Sequence, residues 1–173
     1  SSAANAILHA ARILECGEAE MAVAGGTECL TKFHLNGFNS LLILDNAPCR
    51  PFCKTRAGLN LGEGAAYVVL ETPEAAQRRG HRPLAILTGY GNACDAFHQT
   101  ATSEAADGPY LAMRKALEKG GLTAQDIDYV NAHGTATPDN DRSELTAMHR
   151  PFGTALPPAS ATKASTGRTT SAA

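Results

Sequence analysis

The groups best suited to chemistry lie together in one polar loop, Asn131-Ala132-His133-Gly134-Thr135-Ala136-Thr137-Pro138-Asp139-Asn140-Asp141. It follows Ile127-Asp128-Tyr129-Val130, which reads as a buried strand, and leads into a helix carrying Glu144, Leu145, Met148 and His149. His133 then falls just beyond a strand's carboxyl end, where open α/β sheets place their ligands, and its imidazole titrates near neutral pH. Gly134 lets the backbone approach a bound group closely. Thr135 and Thr137 are two residues apart in an extended segment, which turns both hydroxyls to one side. Asp139, Asn140 and Asp141 are good capping types for the helix that follows. A histidine between small residues at a strand end also fits an ordinary hydrogen-bonded loop residue, and spacing alone leaves both readings open.

The elements around the loop follow from apolar patterning. Asn5, Ala6, Ile7, Leu8, Ala10, Ala11, Ile13 and Leu14 predict a helix with a wide apolar face, ended by Gly17. Met21-Ala22-Val23-Ala24 is a continuous apolar run up to Gly25-Gly26, as expected of a parallel strand covered on both faces, with its partner strand upstream of Ser1. A helix is expected around Leu35 to Leu42, and a loop from Asn46 to Asn60. Tyr67-Val68-Val69-Leu70 predicts a second buried strand, Pro73 to Arg79 a short helix ended by Gly80, and Leu84 to Asn92 a third strand. Asp107-Gly108-Pro109 opens a helix closed by Gly120-Gly121, and Thr123 to Asp126 turn into the strand before the central loop. The alternation of helices and buried strands is that of an α/β protein.

Composition narrows the functional classes. With 173 residues and a net charge of -2 of interspersed sign, the chain can bury one sizeable core and carries no electrostatic footprint for nucleic acid. It has no apolar run of membrane-spanning length and no secretory signal. Its five cysteines are scattered, and Cys49 and Cys53, the only close pair, lack the second pair a zinc site needs. No metal is expected, and free thiols fit a reducing, cytoplasmic compartment. The absence of an initiator Met and the Ser/Thr/Gly/Ala run at the end suggest a fragment.

In order along the chain stand Ser1-Ser2-Ala3-Ala4-Asn5-Ala6-Ile7, Ala24-Gly25-Gly26-Thr27-Glu28, Arg50-Pro51-Phe52, Arg56-Ala57-Gly58 with Gly62-Glu63-Gly64-Ala65, Asp95-Ala96-Phe97-His98-Gln99-Thr100, Ala132-His133-Gly134-Thr135-Ala136-Thr137 with Asn140-Asp141, and Thr162-Lys163-Ala164-Ser165-Thr166-Gly167. By this ordered set the chain resembles the middle of a β-ketoacyl-acyl-carrier-protein synthase, the condensing enzyme of fatty-acid and polyketide synthesis. The resemblance implies a thiolase-like layered α/β fold, here incomplete. Residues 1–80 would be the end of the N-terminal ketosynthase half, and 81–173 the start of the C-terminal half. In that family an active-site Cys takes an acyl chain from acyl carrier protein, two His residues promote decarboxylation of malonyl-carrier protein, and the carbanion attacks the thioester. His133 matches the first of those His residues and Lys163 the family's Lys. Thr135, Thr137 and Thr100 match positions that contact the phosphopantetheine arm of the carrier. No cofactor is implied. The partners implied are acyl carrier protein and a second subunit, in a homodimer or a heterodimer with an active ketosynthase. Outside the resemblance, the Thr residues would read as turn hydroxyls and Lys163 as a solvated loop cation.

Two departures from the family pattern bear on activity. The nucleophile's position lies immediately before Ser1, and none of Cys16, Cys29, Cys49, Cys53 or Cys94 matches it. Arg168 stands after Thr166-Gly167, where the family has its second His; it is larger, permanently charged and unable to accept a hydrogen bond. A guanidinium there would grip a malonyl carboxylate and oppose its loss. This polypeptide alone is therefore expected to lack condensing activity, to expose apolar surface and to aggregate. An alternative is a non-catalytic partner resembling chain-length factors. A thiolase acting on coenzyme A thioesters would share the fold, but the run from His133 to Asp141 fits condensing enzymes better.

Overall fold

A computed structural model describes residues 2–99 and 101–169. It divides into two compact units, one containing the chain up to Cys29 and Glu63–Thr88, the other Leu30–Gly62 and Gly89–Arg168.

In the first unit α1 (Ser2–Glu15) precedes β1 (Met21–Glu28), and the two pack together. The helix stops where the pattern places its stop: Gly17 takes a φ of 72°, its N–H donates to the Leu14 carbonyl, and the Glu18 N–H reaches back to Ile13. β1 pairs with β2 (Gly64–Glu71) antiparallel, with Val23 opposite Val69 and Gly25 opposite Tyr67. This corrects the expectation of a strand that ends at Gly25-Gly26 and is covered on both faces, while the parallel partner expected upstream of Ser1 lies outside the sequence. The strand runs on through both glycines, which sit opposite Ala66 and Tyr67 in the ladder. The second strand is also less buried than its apolar run implies, since Tyr67 is 59% exposed and Val23, Val68 and Val69 all face solvent. A two-stranded ribbon covers only part of each apolar face, so the expected exposed apolar surface is present. After β2, Thr72 caps α3 (Pro73–Arg78) by accepting from the Ala75 N–H, with Pro73 in the first turn.

The second unit holds α2 (Lys32–Ser40), α4 (Asp107–Gly120), β3 (Val130–Asn131), α5 (Pro138–Phe152), β4 (Ala159–Ser160) and α6 (Lys163–Thr166). α2 starts three residues before the expected helix because Thr31 caps it, accepting from the His34 N–H. α4 ends at Gly121 with a φ of 63°, as expected. Leu84 to Asn92 is not a strand, and no ladder forms along it. Instead Gly89 and Gly91 lie against the α4 backbone, where a Cβ on either would come within 2.2 Å of the Ala116 or Ala112 carbonyl oxygen. Ile127 to Val130 likewise shrinks to β3, parallel to β4 through Val130–Ala159 and Asn131–Ser160, and Tyr129 is exposed. No helix of the described residues is long and apolar enough to cross a membrane.

The 46–60 segment is a loop, as expected, and is pinned at both ends. Leu59 donates its N–H to the Ile43 carbonyl and accepts from Asp45, and the Asn60 side chain bonds Cys49, Asp45 and Ala47. Leu59 is 1% exposed and anchors this loop in the core. Leu59→Ala is therefore expected to destabilise the chain by roughly 2–4 kcal/mol, read as a lower urea midpoint. An unchanged midpoint would show that the loop does not share the core.

Candidate active site

β3 delivers the chain to the site. The Ala132 N–H still donates to the Ser160 carbonyl at 2.8 Å, and beyond it the backbone leaves the ladder, so His133 does lie just past a strand's carboxyl end. The loop that follows is buried at Gly134, Thr135 and Ala136, and its amides need acceptors that a β-ladder no longer supplies. Two carboxylates on one face of α5 provide them. Glu144 accepts from the His133 N–H at 2.5 Å and the Gly134 N–H at 2.8 Å, one on each oxygen. Asp141, three residues earlier and thus one turn away, accepts from the Ala136 N–H at 3.1 Å and the Phe52 N–H at 2.7 Å. Asp141 is 2% exposed, with Arg56 3.8 Å away as a partial counter-charge.

The capping expectation is corrected at this point. Thr137 occupies the N-cap position without a side-chain capping bond, Pro138 opens the helix, and Asp139 faces out to pair with Arg142. Asp141 faces in toward the loop because its side chain replaces the missing ladder. The loop is also strained: Ala136 is buried at a φ of 62°, a left-handed conformation that costs roughly 1–2 kcal/mol for a residue with a Cβ. Gly134, at a φ of 44°, is required for space as well, since a Cβ there would come 2.4 Å from the Ala161 Cβ.

The structure brings His133, Lys163 and Arg168 into one electrostatic cluster. Lys163, the first residue of α6, is 5% exposed, which overturns its reading as a solvated cation. Its pKa is lowered by burial and by Arg168, and Glu144 opposes that shift. Arg168 is fixed by its backbone, which donates to the Asn60 carbonyl at 2.7 Å and accepts from the Gly62 N–H at 2.9 Å. Its guanidinium lies over the Phe38 ring, 5.4 Å from the centroid, and Nη1 donates to His133 Nε2 at 3.2 Å. Arginine has no acceptor, so His133 Nε2 must be the acceptor, and the ring carries its proton on Nδ1. Although the residue keeps an exposed edge, desolvation by the protein packed around its ring, then Lys163, then Arg168 push the His133 pKa down to about 4.

Thr135 and Thr137 do turn their hydroxyls to one side, and these meet at 2.9 Å. Thr135 is buried and Thr137 half-buried. Thr100 lies outside the described residues. Sequence reasoning missed Glu144 and Asp141 as site residues, although two acids at i and i+3 just after a polar loop were a usable signal. It also passed over Cys49, whose thiol donates to the Thr135 carbonyl and whose pKa is raised by burial.

The family model described as "Beta-ketoacyl synthase, N-terminal domain" matches residues 1–76, and "Beta-ketoacyl synthase, C-terminal domain" matches residues 84–173. The chain belongs to the β-ketoacyl synthase family, with its thiolase-like α/β fold. Nodulation protein E of Rhizobium meliloti is 46% identical over 154 residues, covering 88% of this chain and 38% of that protein. 3-Oxoacyl-[acyl-carrier-protein] synthase 2 of Staphylococcus aureus is 38% identical over 171 residues, 94% of this chain and 42% of that protein. The chain thus spans about two fifths of the length of these curated relatives. Among solved structures, the ishigamide ketosynthase/chain length factor superposes with a TM-score of 0.93 at 35% identity, over 96% of this chain and 41% of that one. A ketosynthase in complex with its chain length factor from Xenorhabdus doucetiae gives 0.85 at 34% identity, over 95% and 39%.

The lowered pKa sets the sign of the pH response. An unfolded histidine titrates near 6.5, so His133 favours the folded state above that pH and loses its contribution as pH falls from 6.5 toward about 4. Nitrogen-resolved NMR is expected to show the His133 ring neutral, protonated on Nδ1, at pH 6. A ring half-protonated near pH 6.5 would contradict the geometry.

Proposed function

We propose that the chain carries part of the condensing site of a β-ketoacyl synthase, an acyltransferase that extends acyl groups on acyl carrier protein in fatty-acid or polyketide synthesis. The observation that supports this best is His133, held by Glu144 through its backbone at the end of β3 and kept neutral beside the buried Lys163.

In such a condensation the bond to the malonyl carboxylate breaks and carbon dioxide leaves, while the electron pair passes to the α-carbon and the thioester oxygen. The α-carbon then attacks the acyl thioester on the active-site cysteine, and the thiolate departs. A neutral imidazole N–H aimed at the developing enolate oxygen stabilises that charge only as it forms. Lys163 supplies a fixed positive potential that keeps the ring neutral and favours the enolate. Thr137, the more accessible of the two Thr residues, is placed to bond the phosphopantetheine arm, with Thr135 orienting it. The reaction needs neither metal nor redox cofactor. The complete protein is read as a cytoplasmic dimer, either of identical subunits or with an active ketosynthase.

One observation favours a second reading. With Arg168 donating to Nε2, His133 has no N–H to offer at that nitrogen. A chain with that contact fits a non-catalytic partner of the chain-length-factor type, and solved relatives include ketosynthases paired with such factors. Under either reading this chain by itself is expected to form no β-ketoacyl product from acyl- and malonyl-carrier protein, and product formation would overturn that. Placed in a complete ketosynthase, the segment with Arg168→His is expected to decarboxylate malonyl-carrier protein roughly 100-fold faster than with Arg168. An unchanged rate would remove Arg168 as the obstacle.

A further inference from the structure

We infer that Arg168, Lys163 and His133 form a carboxylate-binding site, which holds an acyl thioester by a free carboxylate on its acyl group instead of promoting loss of that carboxylate. The inference rests on the acyl-thioester reading given above.

The cluster has an imbalance of charge. Lys163 and Arg168 both sit in desolvating surroundings, and Arg168 raises the cost of charging Lys163. The acids nearest them are already committed to the loop: Glu144 has one backbone N–H on each oxygen, and Asp141 takes those of Ala136 and Phe52 together with the Asn140 amide. The guanidinium is short of acceptors. Among the described residues its Nε is buried with no hydrogen-bond partner, the hydrogen bond of its Nη1 goes to a neutral imidazole nitrogen, and its face rests on Phe38. None of these contacts brings negative charge, and a buried unpaired donor costs roughly 1–3 kcal/mol.

A carboxylate supplies what is missing. It outcompetes neutral imidazole as the acceptor at Nη1, because a carboxylate brings a full negative charge and two oxygens that match the guanidinium fork, and imidazole brings neither. Lys163 adds a second positive charge from α6. The site is preformed, since the backbone of Arg168 is tied to Asn60 and Gly62 whatever its side chain holds. Gripping the carboxylate lowers the energy of the bound thioester, and the grip is lost as the charge leaves in carbon dioxide. The contact therefore stabilises the ground state more than the transition state and slows decarboxylation.

The test is calorimetric binding of malonyl-pantetheine and acetyl-pantetheine to the 173-residue chain, with mass analysis of the recovered thioester. Malonyl-pantetheine is expected to bind roughly tenfold or more tightly than acetyl-pantetheine and to be recovered with its carboxylate. Arg168→Gln should abolish the preference, with an unchanged circular-dichroism spectrum reporting that the variant is folded; Arg168→Lys should keep part of it. Equal affinities for the two thioesters, or a preference that survives Arg168→Gln, would overturn the carboxylate site and leave the acyl-thioester reading standing. Recovery of malonyl-pantetheine as acetyl-pantetheine would overturn retention and favour the active enzyme. Binding of neither thioester would overturn the site together with the reading it rests on.

Discussion

The site depends on one constraint: a loop that leaves a β-ladder while still buried must find acceptors for its amides. Here α5 meets that need with two carboxylates one turn apart. Glu144 holds His133 and Gly134, and Asp141 holds Ala136 and joins the loop to Phe52. Removing either acid would strand donors of the loop, and removing Asp141 would also release the left-handed Ala136, which has no reason of its own to stay there. The position of His133 is thus set through its own backbone, which leaves the imidazole free to be tuned by other groups.

That tuning follows from charge. Burial raises the Glu144 pKa, and the two bound amides pull it back, so the acid serves as a structural acceptor for the loop more than as a proton donor. Desolvation acts on His133 first, Lys163 and Arg168 add to it, and the ring stays neutral. A neutral ring keeps one donor and one acceptor nitrogen, and the contact from Arg168 decides which is which.

Much of this was legible in the sequence, for identifiable reasons. Gly17 and Gly121 marked helix ends because left-handed termini select glycine, and both were read correctly. The strand-end position of His133 and the shared side of Thr135 and Thr137 followed from backbone periodicity. The strands themselves were read less well. A continuous apolar run such as Met21 to Ala24 signals a strand without fixing its partner's direction or how much covers it, and β1 proved antiparallel and partly exposed. Leu84 to Asn92 looked like a strand by composition, but its glycines at alternate positions serve close packing on α4. Asp141 and Glu144 escaped notice because in sequence they resemble any acids in a helix's first turns. Their role appears only when the loop's unpaired amides are counted.

Arg168 shows how a backbone position can be fixed independently of what its side chain does. Its backbone closes a parallel bridge to Leu61, and its neighbour Gly167 takes a φ of 69°, so the chain's path there is set without the side chain. A histidine on the same backbone would present two nitrogens able to exchange donor and acceptor roles during a reaction. Arginine presents only donors and a charge that it keeps at any working pH. It can bind an anion but cannot relay a proton, and by donating to His133 it fixes that ring's tautomer as well. Arg168 thus restricts the chemistry at two positions, its own directly and that of His133 through a hydrogen bond, while the burial and backbone pairing around them specify the loop.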